Sequence, residues 1–111
     1  MGCCSSNAAK HATGDYTKEG ITDVSKLRFE EGLAWLNLND NKIVDVSGLT
    51  LPEVVRGLDL RRNRIVDVSG LTLPEGLGGL CLNSNQIVDV SGLTLPHSLQ
   101  TLYLQDNQIT D

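Results

Sequence analysis

Several residue classes that mark common functions are scarce in this chain. Aromatic residues make up 4% of its 111 residues, so a hydrophobic core must be built from aliphatic side chains. Three cysteines, two of them adjacent, do not fit a disulfide-stabilised scaffold. No apolar run approaches the roughly 20 residues of a membrane-spanning helix. The start also lacks the basic segment and apolar run of a signal peptide.

Positive charge is scarce as well. Nine lysines and arginines stand against 14 aspartates and glutamates, which gives a net charge of −5. A protein that binds duplex nucleic acid needs a basic face, so we expect no nucleic-acid partner. The length fits one small domain.

The residues needed for catalysis are also few. The chain has two histidines, His11 and His97, and neither lies in a repeat position near Cys81. We therefore interpret Cys81 as a surface thiol and not as a nucleophile. No phosphate-binding glycine loop is present, and the adjacent pair Cys3 and Cys4 lacks the spacing of a zinc site. These absences predict no catalytic residue, no metal site, no cofactor and no small-molecule substrate.

An internal repeat dominates what is present. The segment IVDVSGLTLP occurs at 43–52, 65–74 and 87–96, so the copies are 22 residues apart. Each is preceded by a leucine-rich half whose pattern is L-x-x-L-x-L-x-x-N-x-I. The first copy fills that pattern with Leu33, Leu36, Leu38, Asn41 and Ile43, and the leucine-rich half recurs a fourth time near the end. A weaker half-copy starts at Ile21.

This pattern resembles the leucine-rich repeat, in the 22-residue subclass that includes phosphatase-1 regulatory subunits and internalins. The resemblance implies a solenoid in which each repeat forms one coil. Alternation of leucines with polar residues is typical of short strands, and stacked repeats pair them into a parallel sheet at about 4.8 Å spacing. Proline after each LTL segment favours extended backbone there. We expect an α/β-type solenoid that is mostly β, with a concave parallel sheet, an irregular convex side and little helix.

The same pattern predicts the domain organisation. Residues 1–20 are expected to form a flexible acylated tail. Residues 21–111 are expected to form the repeat domain, with a half repeat, three full repeats, a partial fourth repeat and no C-terminal cap. One asparagine follows each strand and is expected to hydrogen-bond the backbone of adjacent coils. This structural column consists of Asn41, Asn63, Asn85 and Asn107.

The residues between the leucines vary most from copy to copy and are expected on the concave face. The resemblance makes that face the usual surface for a protein partner. The candidates for partner binding are Trp35, Asn37, Asp59, Arg61, Arg62, Cys81 and Tyr103. The alternative is a solvated polar face without a partner.

An aspartate also recurs in register, at Asp23, Asp45, Asp67, Asp89 and Asp111. Calcium loops need a denser set of oxygen ligands than one aspartate in each repeat. We therefore expect turns in which the Asp or Ser side chain bonds local backbone amides.

The first six residues carry a separate signal. Removal of Met1 exposes Gly2, and Ser6 completes the myristoylation pattern M-G-x-x-x-[ST]. One myristoyl chain binds membranes only marginally, and the neighbouring thiols of Cys3 and Cys4 are candidates for palmitate as the second anchor. The alternative is an ordinary polar tail. Acylation would make this a lipoprotein that is cytoplasmic and peripheral to the plasma membrane or an endomembrane.

Together these features predict a non-enzymatic protein-interaction scaffold that is tethered to the cytosolic face of a membrane. Two alternatives stay open. The repeat subclass also fits a phosphatase regulatory or adaptor subunit. The chain also fits the truncated N-terminal part of a longer leucine-rich repeat protein.

Overall fold

A computed structural model describes residues 14–29 and 32–109. Four short strands form one parallel sheet in the order β1-β2-β3-β4. Their bounds are Trp35–Asn37 (β1), Gly57–Asp59 (β2), Gly79–Cys81 (β3) and Thr101–Tyr103 (β4). The only helical element within the described ranges is the 3₁₀ turn Val24–Lys26. The predicted fold, a mostly-β solenoid with one strand in each coil, is confirmed.

The core lies between the sheet and the irregular side of each coil. Strand leucines pair in register from Leu36 to Leu58, Leu80 and Leu102, so the same column recurs in each coil. No single coil can cover its own leucines, and the stacking of coils removes them from water. The first three leucines of this column are fully buried, whereas Leu102 in the last strand is only partly buried.

The solenoid begins earlier than the repeat pattern predicts. Tyr16 is buried, its backbone N–H donates to the Asn37 carbonyl at 2.8 Å, and its ring packs edge-on against Phe29. Asp15 forms a parallel bridge with Asn37. Residues 14–20 therefore pack as part of the stack, and the prediction of a flexible segment through residue 20 is wrong for them. Residues 1–13 lie outside the described part of the chain.

Gly14 explains why this first coil departs from the repeat pattern. Its carbonyl accepts a hydrogen bond from the Asn37 N–H at 2.7 Å, and its φ of +82° lies in the left-handed region. A Cβ at this position would lie 2.0 Å from the backbone oxygen of Trp35. Glycine is the residue that tolerates both the conformation and the close approach.

The convex side is irregular, as expected. The LTLP segments form neither helix nor strand, and each is followed by a turn in which, for example, the Val55 N–H donates to the Pro52 carbonyl at 3.2 Å. A second contact between coils lies nearby, where Gly70 packs on Ser47 of the preceding coil. A Cβ on Gly70 would lie 2.6 Å from the Ser47 Cβ. In the described ranges, no helix has the length and apolar character to cross a membrane.

Candidate partner-binding face

Two rows of side chains form the concave face, on the side of the sheet away from the leucines. Strand residues alternate between the two faces, so the neighbours of each leucine point to the concave side. The register sets these rows directly. The first row is Trp35, Gly57, Gly79 and Thr101, and the second is Asn37, Asp59, Cys81 and Tyr103.

Exposure differs sharply between the margins and the centre of this face. At the margins, Trp35 is 43% exposed and Tyr103 is 36% exposed. At the centre, Asp59 is 1% exposed and Cys81 is 2% exposed. Asn37, at the end of β1, is also buried, so the expected exposure of these three candidates is wrong. The sheet pattern predicts the direction of a side chain but not how much its neighbours cover it.

Asp59 lies in a polar network that accounts for its burial. One carboxylate oxygen accepts a hydrogen bond from Asn39 Nδ2 at 3.3 Å and lies 3.3 Å from Arg61 Nε. The other oxygen accepts from the Arg61 backbone N–H at 3.1 Å. Burial raises the pKa of Asp59 above its usual value, and these hydrogen bonds and the guanidinium oppose that rise. The network therefore occupies Arg61, a candidate for partner contact, within the chain.

Arg62 is engaged in a similar way. Its Nη1 lies 3.6 Å from Asp40 Oδ2 of the preceding coil, and it stays more than half exposed. Its φ of 59° is left-handed, as is that of Asp40, because the chain reverses direction just before each asparagine. The sequence shows a basic pair at these positions, whereas the structure shows that each arginine has a carboxylate beside it.

Cys81 differs most from its predicted state. It is buried and takes part in a disulfide bond, so the interpretation as a surface thiol is wrong. The other two cysteines of the chain, Cys3 and Cys4, lie outside the described residues. A buried sulfur in a disulfide offers no thiolate for nucleophilic chemistry.

The asparagine column lies at the carboxyl ends of the strands and joins each coil to the one before it. Asn63 Oδ1 accepts from the Ile43 N–H at 3.0 Å. Asn63 Nδ2 donates to the carbonyls of Leu38 and Leu60, both at 3.0 Å. The same three kinds of contact recur at Asn41, Asn85 and Asn107. The column therefore satisfies backbone groups that the sheet does not pair.

The aspartate column forms local turns. The side chains of Asp23, Asp45, Asp67 and Asp89 each accept from the backbone N–H of the serine two residues on, at 2.8–2.9 Å. Hydrogen bonds from that serine lower the pKa of each of the four aspartates. Across the described residues, no three His, Cys, Asp or Glu side chains come together as metal ligands.

A shallow cleft of about 380 Å³ lies where the strands begin, between Trp35 and Thr101. Arg56 comes one residue before β2 and contributes the only charged side chain among the described lining residues. The sequence signal for this site was weak, since Arg56 is one of four arginines between residues 56 and 64. The described lining is completed by Gly76, Gly78, Gly79, Ser98 and Gln100.

The stacked parallel strands, the buried asparagine column and the 22-residue period define a leucine-rich-repeat solenoid. No protein-family profile matches the chain, and no curated protein matches it in sequence. Among solved structures, it is similar to an internalin from Listeria monocytogenes, with a TM-score of 0.53 and 25% sequence identity. That match covers 86% of this chain and 34% of the internalin, so this chain spans about a third of the internalin's length.

Proposed function

We propose that this chain is a non-enzymatic scaffold that binds a protein partner on its concave face. The observation that carries this proposal is where variation falls between coils. The leucine column is the same in all four strands, whereas the neighbouring row reads Trp35, Gly57, Gly79 and Thr101. Solenoids present such faces as extended binding surfaces. If the fold required particular residues in this row, the row would be as constant from coil to coil as the leucine column is.

The two exposed aromatic residues are the expected anchors. Trp35 lies in β1 and Tyr103 in β4, so three strand spacings, about 14 Å, separate them across the sheet. Tryptophan and tyrosine dominate the binding energy of many interfaces because they bury a large area and lose little conformational entropy. A partner segment lying across the strands can contact both rings at once.

Comparative capture tests this face. The intact chain and the double variant Trp35→Ala with Tyr103→Ala would be immobilised and exposed to the same cytosolic extract. Val44→Ala with Val66→Ala is the control, because it removes two exposed apolar side chains outside the sheet. Proteins retained by the intact chain and the control but lost by the aromatic variant support the proposal. The same set on all three contradicts it.

We also propose that acylation at Gly2, with palmitate at Cys3 or Cys4, holds the scaffold at the cytosolic face of a membrane. The support is the combination of Gly2, Ser6 and the two adjacent cysteines in the sequence. These residues lie outside the described part of the chain. A thioester needs a reduced thiol, so palmitate competes with the Cys81 disulfide for the remaining cysteines.

Metabolic labelling with alkyne-myristate and alkyne-palmitate tests the anchor. We expect both labels on the intact chain, no myristate on Gly2→Ala, and no palmitate on Cys3→Ser with Cys4→Ser. Fractionation should move both variants from membranes to the soluble fraction. Identical fractionation of all three chains would show that acylation is not the anchor.

A further inference from the structure

The cleft at the start of the strands is lined by an aromatic wall, a floor of glycines and one cation. Trp35 forms the wall in β1, and Gly78 and Gly79 of the third coil form the floor. Gln100 and Thr101 close the far side. A groove with a glycine floor lets an extended chain approach closely, because no Cβ projects into it.

Arg56 is the feature that sets this cleft apart from equivalent places in other coils. The positions 22 residues away hold Ala34, Gly78 and, one coil further, Gln100. A Cβ on Gly76 would lie 3.8 Å from Arg56 Nε, so the arginine side chain reaches over the next coil at a point where that coil has no side chain.

The charged surroundings of Arg56 also differ from those of Arg61 and Arg62. Arg61 lies beside Asp59 and Arg62 beside Asp40, whereas no carboxylate of the described chain lies within ion-pair distance of Arg56. No acidic residue lines the cleft within the same described part. Arg56 is therefore a guanidinium with donors available for a carboxylate, in a chain whose net charge is −5.

The backbone around the cleft is fixed by shared hydrogen bonds. The Ala34 carbonyl accepts from the N–H groups of Arg56 and Gly57, at 2.6 and 3.1 Å. The Arg56 carbonyl accepts in the same way from Gly78 and Gly79, at 2.7 and 3.1 Å. These contacts repeat from coil to coil, so the wall, the floor and the Arg56 backbone are held before any partner arrives.

We propose that this cleft binds a carboxylate-bearing segment of a protein partner. This inference rests on the proposed scaffold function and names the chemistry of its partner. The Arg56 guanidinium pairs with a glutamate or aspartate side chain of the segment. The Trp35 ring packs against the aliphatic part of the same segment, and the glycine floor accommodates its backbone.

Trp35 reports occupation directly, because it is the only tryptophan in the chain. The probe is a blocked tetraglutamate peptide, with blocked tetraglutamine as the uncharged control. Titrated into the full chain at low ionic strength, tetraglutamate should change the Trp35 emission saturably and tetraglutamine should not. Raising the salt concentration should weaken the effect, since exposed charges are screened.

Arg56→Gln tests the arginine, and Arg64→Gln is the matched control. Arg64 carries the same charge, is exposed and lies beyond the carboxyl end of β2. We expect Arg56→Gln to weaken tetraglutamate binding about tenfold or more and Arg64→Gln to change it less than about twofold. Arg56→Lys should restore part of the affinity. Unchanged unfolding midpoints would show that the variants fold.

Two results would overturn the proposal: no saturable change with tetraglutamate, or equal weakening by both arginine variants. Neither would by itself remove the scaffold function. If the aromatic variant still loses retained proteins in the capture experiment while tetraglutamate does not bind, the concave face binds a partner and the acidic chemistry is wrong. If both experiments fail, the scaffold function fails too.

Discussion

The asparagine and aspartate columns recur at the same 22-residue interval, yet they do different structural work. Asn63 is 7% exposed, and its amide joins Leu38 and Ile43 of the preceding coil to its own coil. Asp67 is exposed, and its carboxylate accepts from the backbone of Ser69, two residues on. The asparagine side chains connect coils, whereas the aspartate side chains shape a turn within each coil. The aspartates of successive coils meet through parallel backbone bridges, such as that between Asp45 and Asp67.

The comparison shows that exact recurrence reveals a structural requirement but not its energetic weight. A buried group that loses its hydrogen-bond partner keeps the full cost of desolvation, about 1–3 kcal/mol. An exposed group that loses its partner is hydrogen-bonded by water instead. Burial and the reach of the contacts therefore decide which column holds the solenoid together.

The largest expected effect follows from cutting the link between coils at Asn63. Asn63→Leu leaves the Ile43 N–H without its acceptor and removes donors from the Leu38 and Leu60 carbonyls. We expect the free energy of unfolding to fall by about 3 kcal/mol, because these groups are buried. Urea unfolding followed by circular dichroism measures it.

The control for this change is Asn83→Leu, at a half-buried position on the concave side of the next coil. The Asn83 side chain makes no hydrogen bond to the described part of the chain, so the same substitution there should cost far less. Equal unfolding midpoints for the two variants would refute the structural weight given to the column.

The second largest loss of stability should come from a steric contact at the aspartate turns. Gly70 follows Ser69 in the turn of Asp67, and Gly70→Ala forces a Cβ against Ser47. The added Cβ would lie 2.6 Å from the Ser47 Cβ and 2.9 Å from its Cα, so the two coils must shift apart. We expect the free energy of unfolding to fall by about 2 kcal/mol.

Gly76→Ala is the control for this contact, because its Cβ would meet Arg56 no closer than 3.8 Å. Both variants restrict the unfolded chain equally, so the difference between their unfolding free energies isolates the clash. If the two variants unfold at the same urea concentration, the turns do not transmit a contact between coils.

Much of this fold could be predicted because the repeat states each requirement several times. The leucine spacing gives the strands and the parallel sheet, and the position of Asn63 after a strand gives its place in the structure. What recurs is what the stacking of coils demands. The comparison with an internalin structure agrees with the same fold.

The rest could not be predicted where a single residue replaces the repeated one. Gly14 and Tyr16 stand 22 residues before Leu36 and Leu38, where later coils have leucine. The leucine pattern therefore does not reveal the first coil. The available signal was the weaker half-copy that starts at Ile21, 22 residues before Ile43. The burial of Asp59 depends on Asn39 of the preceding coil and on Arg61, and a strand pattern does not contain these contacts. The disulfide bond of Cys81 is likewise absent from the repeat pattern.

Asn107 should show a smaller effect than Asn63, although the contacts are the same in kind. It bonds Ile87, Leu82 and Leu104, but it is only half-buried because β4 is the last strand of the sheet. Water can hydrogen-bond some of the backbone groups that lose Asn107 as a partner. Asn107→Leu should therefore lower the free energy of unfolding by about 1 kcal/mol. A cost equal to that of Asn63→Leu would show that burial does not set the weight of the column.

The smallest expected effect is that of Asp67→Asn, which keeps the accepting oxygen and removes the charge. Hydrogen bonds from Ser69 lower the pKa of Asp67 in the folded chain below its ordinary value of 3.8. The stabilisation by the carboxylate is therefore present above pH 3.8 and is lost as the pH falls through the lowered pKa. We expect a small loss of stability for Asp67→Asn at pH 7, below that of Asn107→Leu, which narrows as the pH is taken under 3.8. Urea unfolding of both chains across this pH range measures it. A loss of unfolding free energy that stays constant with pH would show that the charge does not stabilise the turn. A loss as large as that of Asn63→Leu would show that the two columns do not differ in their contribution to stability.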